Sequence, residues 1–588
     1  MRLICAAAEL TAARIACPDG VLELPEKFPV SFSYAMGSRE LKVESKLSGD
    51  ETLRLTGRFG PTPAALDLAV EKVKIDRLAK WLPPAVPKVS AGRISGTLAW
   101  RGAGLKTRLD IEGFAFADAS GLHAGENIAA TLEADAVSRG GAWRWNARLT
   151  WRGGEVFWQP IFMAARGQRL DIAATTAQGY TTVTTGRLEL PRIGEIGFGG
   201  SWNHRQGALE AYRAGGQRLR IAALYEDVLK PLAQGTAGAE MRAEGELSFS
   251  VRAKGGALTE ADLELHDVSF EDRERRFAVF GLSGRVPWKG ETPTEGRLTL
   301  KGGELLKIPV GAMNVPLRLR RTRVDIDTLQ VPLFDGAIHL RDFAIGLGRE
   351  GAWRWRFSGE VLPISMLRLT EALGLPPMHG SLSGKLPELR YRRSVLEMDG
   401  SLDIRVFDGL INATHLQLIE PFGRAPRLHA DVEMKNIDLE LLTRAFDFGT
   451  ITGRIDARID GLELVNWQPV RFDARIASSS GSYPRKISQR AVQNISALGG
   501  AGAAAAIQRS LLRFFDQFGY DRLGLSCRLE NNLCHMDGIE GAPQGYVIVK
   551  GGGIPAISVI GYNRVVDWRE LVERLKRITQ ENVQPIVK

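Results

Sequence analysis

The sequence predicts an all-β fold: an elongated, repetitive antiparallel sheet folded into a hydrophobic groove, with short helices and a C-terminal cap that contains helices. Three observations support this prediction. Apolar and polar residues alternate in many short runs, 65 of the 588 residues are glycines scattered along the chain, and several motifs recur at a similar spacing. Alternation gives each strand one apolar and one polar face, and scattered glycines suit the turns and bulges between strands.

The alternating runs extend from about residue 21 to residue 477 and are bounded by glycine, proline, aspartate or asparagine. Strands that bury one face and expose the other are typical of antiparallel sheets. The pattern contains no long helices of the kind that connect parallel strands. We therefore expect the apolar positions of these runs to line one continuous groove. The candidate lining residues are Phe249, Val251, Leu402, Ile404, Val406, Ile455, Ile459 and Phe472.

A larger unit is repeated within this region: a short helical turn, a loop and a strand that contains glycine. The copies are Ile75 before Gly96, Asp227 before Gly245, Ile364 before Gly384 and Ile437 before Gly453. The intervals between these glycines are roughly multiples of seventy residues. A repeat of this kind buries its apolar face against its neighbours and builds an elongated body. Asp76, Ser365 and Asp438 are expected to cap the helical turns.

The composition changes after Ser478, which predicts a repetitive β-groove over residues 1–477 and a cap over residues 478–588. Residues 486–518 lack strand alternation and predict a helix that docks on the end of the sheet. A helix lying in a membrane interface is the alternative. The apolar face of this helix would contain Ile507, Leu511, Phe514, Phe515 and Phe518. A final amphipathic helix should begin near Asp567, whose spacing to Glu570 fits a capping box.

The four cysteines fall into two local pairs, Cys5 with Cys17 and Cys527 with Cys534. The second pair is separated by residues that suit a hairpin turn, which would bring Cys527 opposite Cys534. We expect a disulfide there, and a disulfide requires an oxidising compartment. Two buried free thiols are the alternative. A zinc site is disfavoured because only His535 lies nearby and the spacing does not suit a tetrahedral site.

The sequence carries no recognisable catalytic or metal-binding motif. The eight histidines are isolated from one another, and neither a nucleophile elbow nor a phosphate-binding glycine loop is found. We therefore predict no enzymatic activity, no cofactor and no metal. The net charge of +9 is modest for this length. The basic clusters alternate with leucine as on a solvated strand face, which argues against a nucleic-acid groove.

No run of about 18 apolar residues is found, so no helix is expected to span a membrane. The sequence opens with a strand-like pattern, in which the apolar positions are Leu3, Cys5, Ile15 and Cys17. This pattern is typical of the interior of a longer chain. We expect an export signal or membrane anchor upstream of these residues. The expected location is the periplasmic cell envelope.

The last repeat and the cap resemble the AsmA-like superfamily of Gram-negative envelope proteins, and its YdbH branch in particular. The resemblance is carried by residues 436–442, 449–454, 461–464, 472–475 and 487–491, followed by 514–515, 519–520, 524–527 and 553–555. It extends over about residues 430–575 and is generic upstream. The resemblance implies a groove anchored at the inner membrane that moves phospholipids toward the outer membrane.

Bridge-like phospholipid transport between the inner and outer membrane, without catalysis, is the function expected from these features. The expected partners are phospholipids, both membrane surfaces and an envelope protein, with no nucleic acid. An envelope scaffold or assembly factor for outer-membrane proteins, acting through exposed strand edges, is the alternative. A carbohydrate-binding or adhesive β-solenoid would need clustered aromatic residues. The only candidates for such a cluster are Trp143, Trp145, Trp151 and Trp158.

Overall fold

The strands predicted from the alternation dominate the fold, with 71% of the residues in strands and 9% in helices. The structure, a computed structural model, describes residues 2–23, 27–59, 65–79, 88–233, 238–273, 276–305, 307–348, 351–373, 380–421, 423, 425–499 and 515–580. The strands pair antiparallel, mostly with their neighbours in sequence. The prediction of an all-β, repetitive, antiparallel fold is therefore confirmed. The chain forms two compact units: unit 1 is Met1–Glu274 with Val279–Thr294, and unit 2 is Arg275–Ala278 with Glu295–Lys588.

Unit 1 is built from long strands that pair in succession from β3 to β11 and from β13 to β18, while β13 also pairs with β11. Its strands are β1 (Arg2–Cys5), β2 (Glu9–Leu10), β3 (Arg14–Glu23), β4 (Lys27–Ala35), β5 (Glu40–Ser48), β6 (Glu51–Arg58), β7 (Ala65–Lys74), β8 (Lys88–Arg101), β9 (Gly104–Ala117), β10 (His123–Arg139), β11 (Ala142–Trp158), β12 (Ile161–Ala164), β13 (Arg169–Ala177), β14 (Tyr180–Leu190), β15 (Gly194–Asn203), β16 (Ala208–Arg220), β17 (Met241–Lys254), β18 (Ala257–Asp272) and β19 (Phe277–Trp288). Its helices are α1 (Ile75–Ala79), α2 (Ile221–Leu224) and α3 (Lys230–Leu232), and a π-helical turn over Tyr225–Leu229 joins the last two.

Unit 2 continues the same construction. Its strands are β20 (Thr294–Leu300), β21 (Gly302–Leu305), β22 (Ile308–Val310), β23 (Met313–Arg320), β24 (Arg323–Leu333), β25 (Gly336–Leu347), β26 (Trp353–Ser365), β27 (Ser381–Arg392), β28 (Val395–Asp399), β29 (Ser401–Val406), β30 (Gly409–Ile419), β31 (Arg427–Asp438), β32 (Ile451–Thr452), β33 (Arg454–Val465), β34 (Gln468–Ser478), β35 (Lys486–Ser488), β36 (Gln517–Glu530), β37 (Leu533–Gly538), β38 (Glu540–Ala542), β39 (Gly545–Gly551), β40 (Val559–Gly561) and β41 (Val565–Asp567). Its helices are α4 (Met366–Leu373), α5 (Leu439–Ala445), α6 (Gln489–Gly499) and α7 (Trp568–Gln580).

A repeated strand-to-helix connection explains the periodicity of the sequence. Strands β7, β16, β26 and β31 each shift register near their ends and then pass into a helix. Two apolar side chains two positions apart pack at every junction, and all but Ile75 are buried. The pairs are Val73 with Ile75, Leu219 with Ile221, Ile364 with Met366, and Ile437 with Leu439. The segment after each junction contains a glycine that lies close to a neighbouring residue. A Cβ added at Gly96 in β8, for example, would lie 2.0 Å from the carbonyl oxygen of Arg108 in β9. Close contact with the backbone of the next strand thus explains Gly96, Gly245 and Gly384. Gly453 is instead close to the hydroxyl group of Tyr520.

Two of the three predicted helix caps are present. The carboxylate of Asp438 accepts hydrogen bonds from the backbone N–H groups of Glu440 and Leu441, at 2.9 and 3.0 Å. Ser365 accepts a longer bond from the N–H of Arg368, at 3.4 Å. The prediction for Asp76 is wrong, because this residue lies inside α1 rather than before it.

The helix predicted over residues 486–518 is shorter than expected. Both of its ends are strands, since Lys486–Ser488 form β35 and Gln517 begins β36. Ile487 pairs with Phe518, and both side chains are 0% exposed, so burial in a strand pair outweighs the helical pattern. Phe515 is exposed. Ile507, Leu511 and Phe514 lie outside the described residues.

Two disulfides connect the four cysteines. The Cα atoms are 6.0 Å apart in the Cys5–Cys17 pair and 5.5 Å apart in the Cys527–Cys534 pair. The β36–β37 hairpin turns at residues 531–532, so Leu529 lies directly opposite Cys534. The second disulfide therefore joins diagonal neighbours of the hairpin rather than a directly opposed pair.

Candidate functional site

Unit 1 presents a continuous apolar face that crosses its strands. At paired positions from β9 to β18 stand Leu109, Leu132, Leu149, Leu170, Leu188, Ile196, Gly216, Phe249 and Leu263. We call this row the leucine ladder. Because paired strands lie about 4.8 Å apart, the ladder extends for roughly 40 Å within unit 1.

The opposite face of the same strands carries charges. One position away from the ladder stand Arg108, Glu133, Arg148, Asp171 and Arg187, in alternating sign. Arg108 lies 2.6 Å from Glu133, and Arg148 lies 2.6 Å from Asp171. The hydrogen bond and the charge of Asp171 raise the pKa of Arg148 above its usual value. This face is therefore ionised and hydrated, and the two faces of the sheet have opposite chemistry.

Among the described residues, no buried core packs over the leucine ladder from Leu109 to Leu188. At its other end, Ile196 and Phe249 pack against a core formed by Ile193, Leu219 and Ala223. The side chains of the ladder are half-buried, because each is shielded by its neighbours in the row and still reaches water. Where the same face is covered, exposure falls sharply: Leu219, at the junction of β16 and α2, is 1% exposed. An apolar strip of this length exceeds the scattered apolar patches of ordinary soluble surfaces and indicates a binding surface.

Unit 2 has a comparable face. Its longest row contains Ile345, Trp355, Tyr391, Leu396, Leu418, Leu428 and Leu464 at paired positions. The rings of Trp355 and Tyr391 are stacked with centroids 5.1 Å apart, and Phe357 stacks on Trp355 at 5.7 Å. Because these rings are half-buried, they offer a flat apolar surface next to water.

The lining residues predicted from the sequence all lie on these two faces. Phe249 and Val251 lie on unit 1, and Leu402, Ile404, Val406, Ile455, Ile459 and Phe472 lie on unit 2. Five of them are half-buried, as an open face requires. Val406, Ile455 and Phe472 are only 6%, 5% and 9% exposed. These three are core residues, so we leave them out of the candidate site.

Residues after position 478 cover the end of the unit 2 face. Ile437 and Ile455 belong to a core that also contains Ile487, Phe518 and Tyr546. Helix α7 packs over the β36–β37 hairpin, with Leu571 buried beside Cys534 and Val566. The apolar face of unit 2 is thus closed over its last strands by the C-terminal residues.

The sequence analysis missed most of the leucine ladder, although a signal for it exists. An arginine directly precedes a leucine of the ladder four times on the strands concerned, at residues 108–109, 148–149, 169–170 and 187–188. Arg-Leu pairs of this kind place an apolar and a charged side chain on opposite faces of one strand. Their register across strands could not be deduced from spacing alone, because the connecting turns differ in length.

Outside the apolar face, the described part of unit 1 contains a cavity without reactive groups. The cavity, of about 450 Å³, lies beside the π-helical turn and is lined in part by Phe162, Ile193 and Val228. Both of its acidic residues are ion-paired: Asp227 is 3.1 Å from Arg192, and Glu226 is 3.7 Å from Lys230. The described residues contain no group of three or more side chains that could hold a metal ion. Nor is any described helix long and apolar enough to cross a membrane.

Comparison with known proteins gives no further guidance: no family model, no curated protein and no solved structure matches this chain. The apolar faces and their charged reverse sides are therefore the features from which function must be argued.

Proposed function

We propose that this chain transports phospholipids between the inner and outer membrane by holding their acyl chains against its apolar strand faces, without catalysis. The observation that carries the proposal is the leucine ladder, whose leucines from Leu109 to Leu188 are half-buried without a covering core and have charged residues on the reverse face. Resemblance to the AsmA-like superfamily supports the same function. A groove formed by these faces, as the sequence predicts, is part of the proposal.

The energetics favour an open apolar face as a lipid carrier. Exposing the acyl chains of a phospholipid to water would cost about 24 kcal/mol of free energy, at about 0.8 kcal/mol for each of about 30 methylenes. Contact between the acyl chains and the leucine ladder of unit 1 would offset part of this cost. No reactive group is needed, because the lipid is moved and not changed.

Two disulfides support an extracytoplasmic location for this function, since such bonds persist in oxidising compartments such as the periplasm. The ion-paired reverse face would then contact the periplasmic solvent. The partners we propose are phospholipids and the two membrane surfaces, together with an envelope protein.

Site-specific photo-crosslinking tests the proposal. A photo-reactive phenylalanine analogue placed at Leu149 should crosslink to phosphate-labelled lipid in cells, because this side chain lies in the middle of the ladder. The matched control places the same analogue at Arg148, the adjacent residue on the charged face. The control should give at most one-tenth of the lipid crosslinking.

A second variant tests transport through the face itself. Leu132→Lys combined with Leu170→Lys introduces two charges into half-buried positions next to Leu149. Lipid crosslinking at Leu149 should then fall at least tenfold, while circular dichroism should still report a β-sheet. Equal crosslinking at Leu149 and Arg148 would contradict the proposal. Crosslinks to outer-membrane proteins in place of lipid would support the scaffold alternative.

A further inference from the structure

The strands of unit 1 end alternately on two rims. On one rim the strands are joined directly by short turns, such as those between β8 and β9, β10 and β11, and β15 and β16. We call this the hairpin rim. The opposite rim carries α1, α2 and α3, which connect β7 to β8 and β16 to β17. We call it the helix rim.

The apolar face is closed at the part of the helix rim that lies beside β16 and β17. Leu219 is 1% exposed and Ile221 is 2% exposed, because α2 and the π-helical turn pack over the ends of β16 and β17. Tyr225 from the π-helical turn is 2% exposed and belongs to the same core. Acyl chains lying on the leucine ladder would therefore meet packed protein at this rim near β16 and β17.

The apolar face is open at the hairpin rim. Trp100 and Trp202, which share the face of the leucine ladder, are each 39% exposed, and Leu258 is 42% exposed. Trp100 lies edge-on to Trp143 with ring centroids 6.2 Å apart. Indole rings are suited to a boundary between apolar and polar surroundings, since they combine a large apolar ring with one N–H donor. The helix rim also has an exposed tryptophan, Trp158, whose ring lies 4.1 Å from that of His123 at an angle of 49°. Exposed aromatic residues alone therefore do not distinguish the two rims.

The two rims differ in the number of exposed bases that have no ion pair. Exposed bases cluster on the hairpin rim, and no ion pair is found between the following six and any described carboxylate. They are Arg39, Arg58, Lys106, Arg139, Arg144 and Arg205. Several bases of the helix rim are paired with acids: Lys72 lies 2.8 Å from Asp50, and Arg218 lies 3.0 Å from Glu246. Only three exposed bases of this rim, Lys46, Arg93 and Arg220, have no ion pair with a described carboxylate. The hairpin rim thus combines an open apolar edge with unneutralised positive charge.

We infer that phospholipid headgroups project into water at the hairpin rim of unit 1, while the acyl chains stay in the groove. We also infer that this rim selects anionic headgroups. The inference rests on the proposed function, because it requires acyl chains on the leucine ladder. A headgroup bonded to such chains can reach water where the apolar face is open. There the long arginine and lysine side chains contact its phosphate. A zwitterionic headgroup carries a positive charge that the bases of the rim repel, and an anionic headgroup does not. The rim therefore favours anionic lipid.

Competition between two lipids tests the selectivity. The protein carries the photo-reactive analogue at Leu149 and is mixed with vesicles of equimolar phosphatidylglycerol and phosphatidylethanolamine. The rim variant replaces Arg39, Arg139, Arg144 and Arg205 with glutamine. The control variant removes the same charge from the helix rim by replacing Lys46, Lys74, Arg220 and Arg242 with glutamine.

The unmodified protein should capture phosphatidylglycerol in preference, and the ratio should fall about fivefold in the rim variant, the change expected from losing weak surface contacts. Total capture at Leu149 should persist, and the control variant should keep the original ratio. A lipid with a photo-reactive headgroup should label peptides that contain residues 139–144 rather than α2.

The failures of the two proposals are distinguishable. Lipid capture at Leu149 with an unchanged ratio in the rim variant would overturn the headgroup inference and leave lipid transport standing. An equal loss of preference in the control variant would also overturn it, since general charge would then explain the selectivity. No capture of either lipid at Leu149 would reject both proposals.

Discussion

The indole of Trp568 packs edge-on against the ring of Phe472, with centroids 5.3 Å apart and planes inclined by 77°. Phe472 lies on the apolar face of β34, and Trp568 is the first residue of α7. This contact places the C-terminal helix over an apolar sheet face that is open elsewhere in unit 2. The helix therefore protects the last strands from water and ends the accessible surface there.

Removing the indole should loosen α7. Trp568→Ala deletes a half-buried aromatic side chain, for which we expect a loss of about 2 kcal/mol, less than the about 3–5 kcal/mol of a fully buried one. Hydrogen exchange should accelerate in α7 and in the β36–β37 hairpin beneath it. Arg569→Ala is the control, because Arg569 is the exposed neighbour on the same helix. Equal exchange in both variants would show that the contact does not hold the helix.

The Cys527–Cys534 disulfide should stabilise the same hairpin. The bond closes a short loop, with a sequence separation of 7, so the loss of chain entropy predicts about 2 kcal/mol of stabilisation. Replacing both cysteines with serine should lower the urea midpoint of unit 2 and expose the hairpin to proteolysis. Replacing Cys5 and Cys17 instead should leave proteolysis of the hairpin unchanged. A hairpin that resists protease equally well without its disulfide would refute this expectation.

Local alternation was sufficient to predict the strands, but not which of them are covered. Ile459 and Ile455 lie on the same strand and face, and only Ile455 is buried. The difference arises because Ile455 belongs to a core that includes residues more than thirty positions later in the sequence, such as Ile487 and Phe518. No pattern in the sequence around Ile455 predicts packing against those later residues. Long-range packing therefore decides which candidate positions are available to a ligand.

The same limit explains the wrong helix boundaries in the C-terminal region. The local sequence around Ile487 and around Phe518 predicts helix. The two residues nevertheless pair in neighbouring strands, although more than thirty positions separate them in the sequence. The repeat was predictable for the opposite reason. Its junction residues always stand two positions apart, and a segment that contains glycine follows each junction, so the pattern is visible without any knowledge of distant contacts.

High pH should weaken the C-terminal core through Tyr520. This side chain is 3% exposed, and its hydroxyl donates a hydrogen bond to the carbonyl oxygen of Thr452 at 2.7 Å. Burial raises the pKa of Tyr520 above its usual value, because the phenolate would be desolvated. The folded state therefore favours the neutral form, and this contribution is complete below the unfolded pKa of about 10 and is lost as the pH rises above it.

Urea unfolding at pH about 8 and about 10.5, together with absorbance titration of tyrosine, checks this dependence. Tyr520→Phe should cost about 1 kcal/mol at the lower pH through the lost hydrogen bond. It should also reduce the loss of stability between the two pH values. Tyr546, whose pKa is also raised by burial, would account for part of the remaining slope. An unchanged slope in Tyr520→Phe would mean that Tyr520 is not the titrating group.

Adding one methyl group at Gly96 should destabilise unit 1, because β8 and β9 approach most closely there. A Cβ at Gly96 would lie 2.0 Å from the carbonyl oxygen of Arg108, a backbone atom that cannot turn away. We expect Gly96→Ala to cost about 2 kcal/mol or more, as overpacking does, and to accelerate hydrogen exchange in β8 and β9. Gly37→Ala is the matched control, since nothing lies within 4 Å of its Cβ position. In unit 2, Gly384→Ala should have the effect of Gly96→Ala, because its Cβ would lie 2.3 Å from the carbonyl oxygen of Asp403. If Gly96→Ala were as stable as Gly37→Ala, close strand contact could not be the reason that glycine recurs in the repeat.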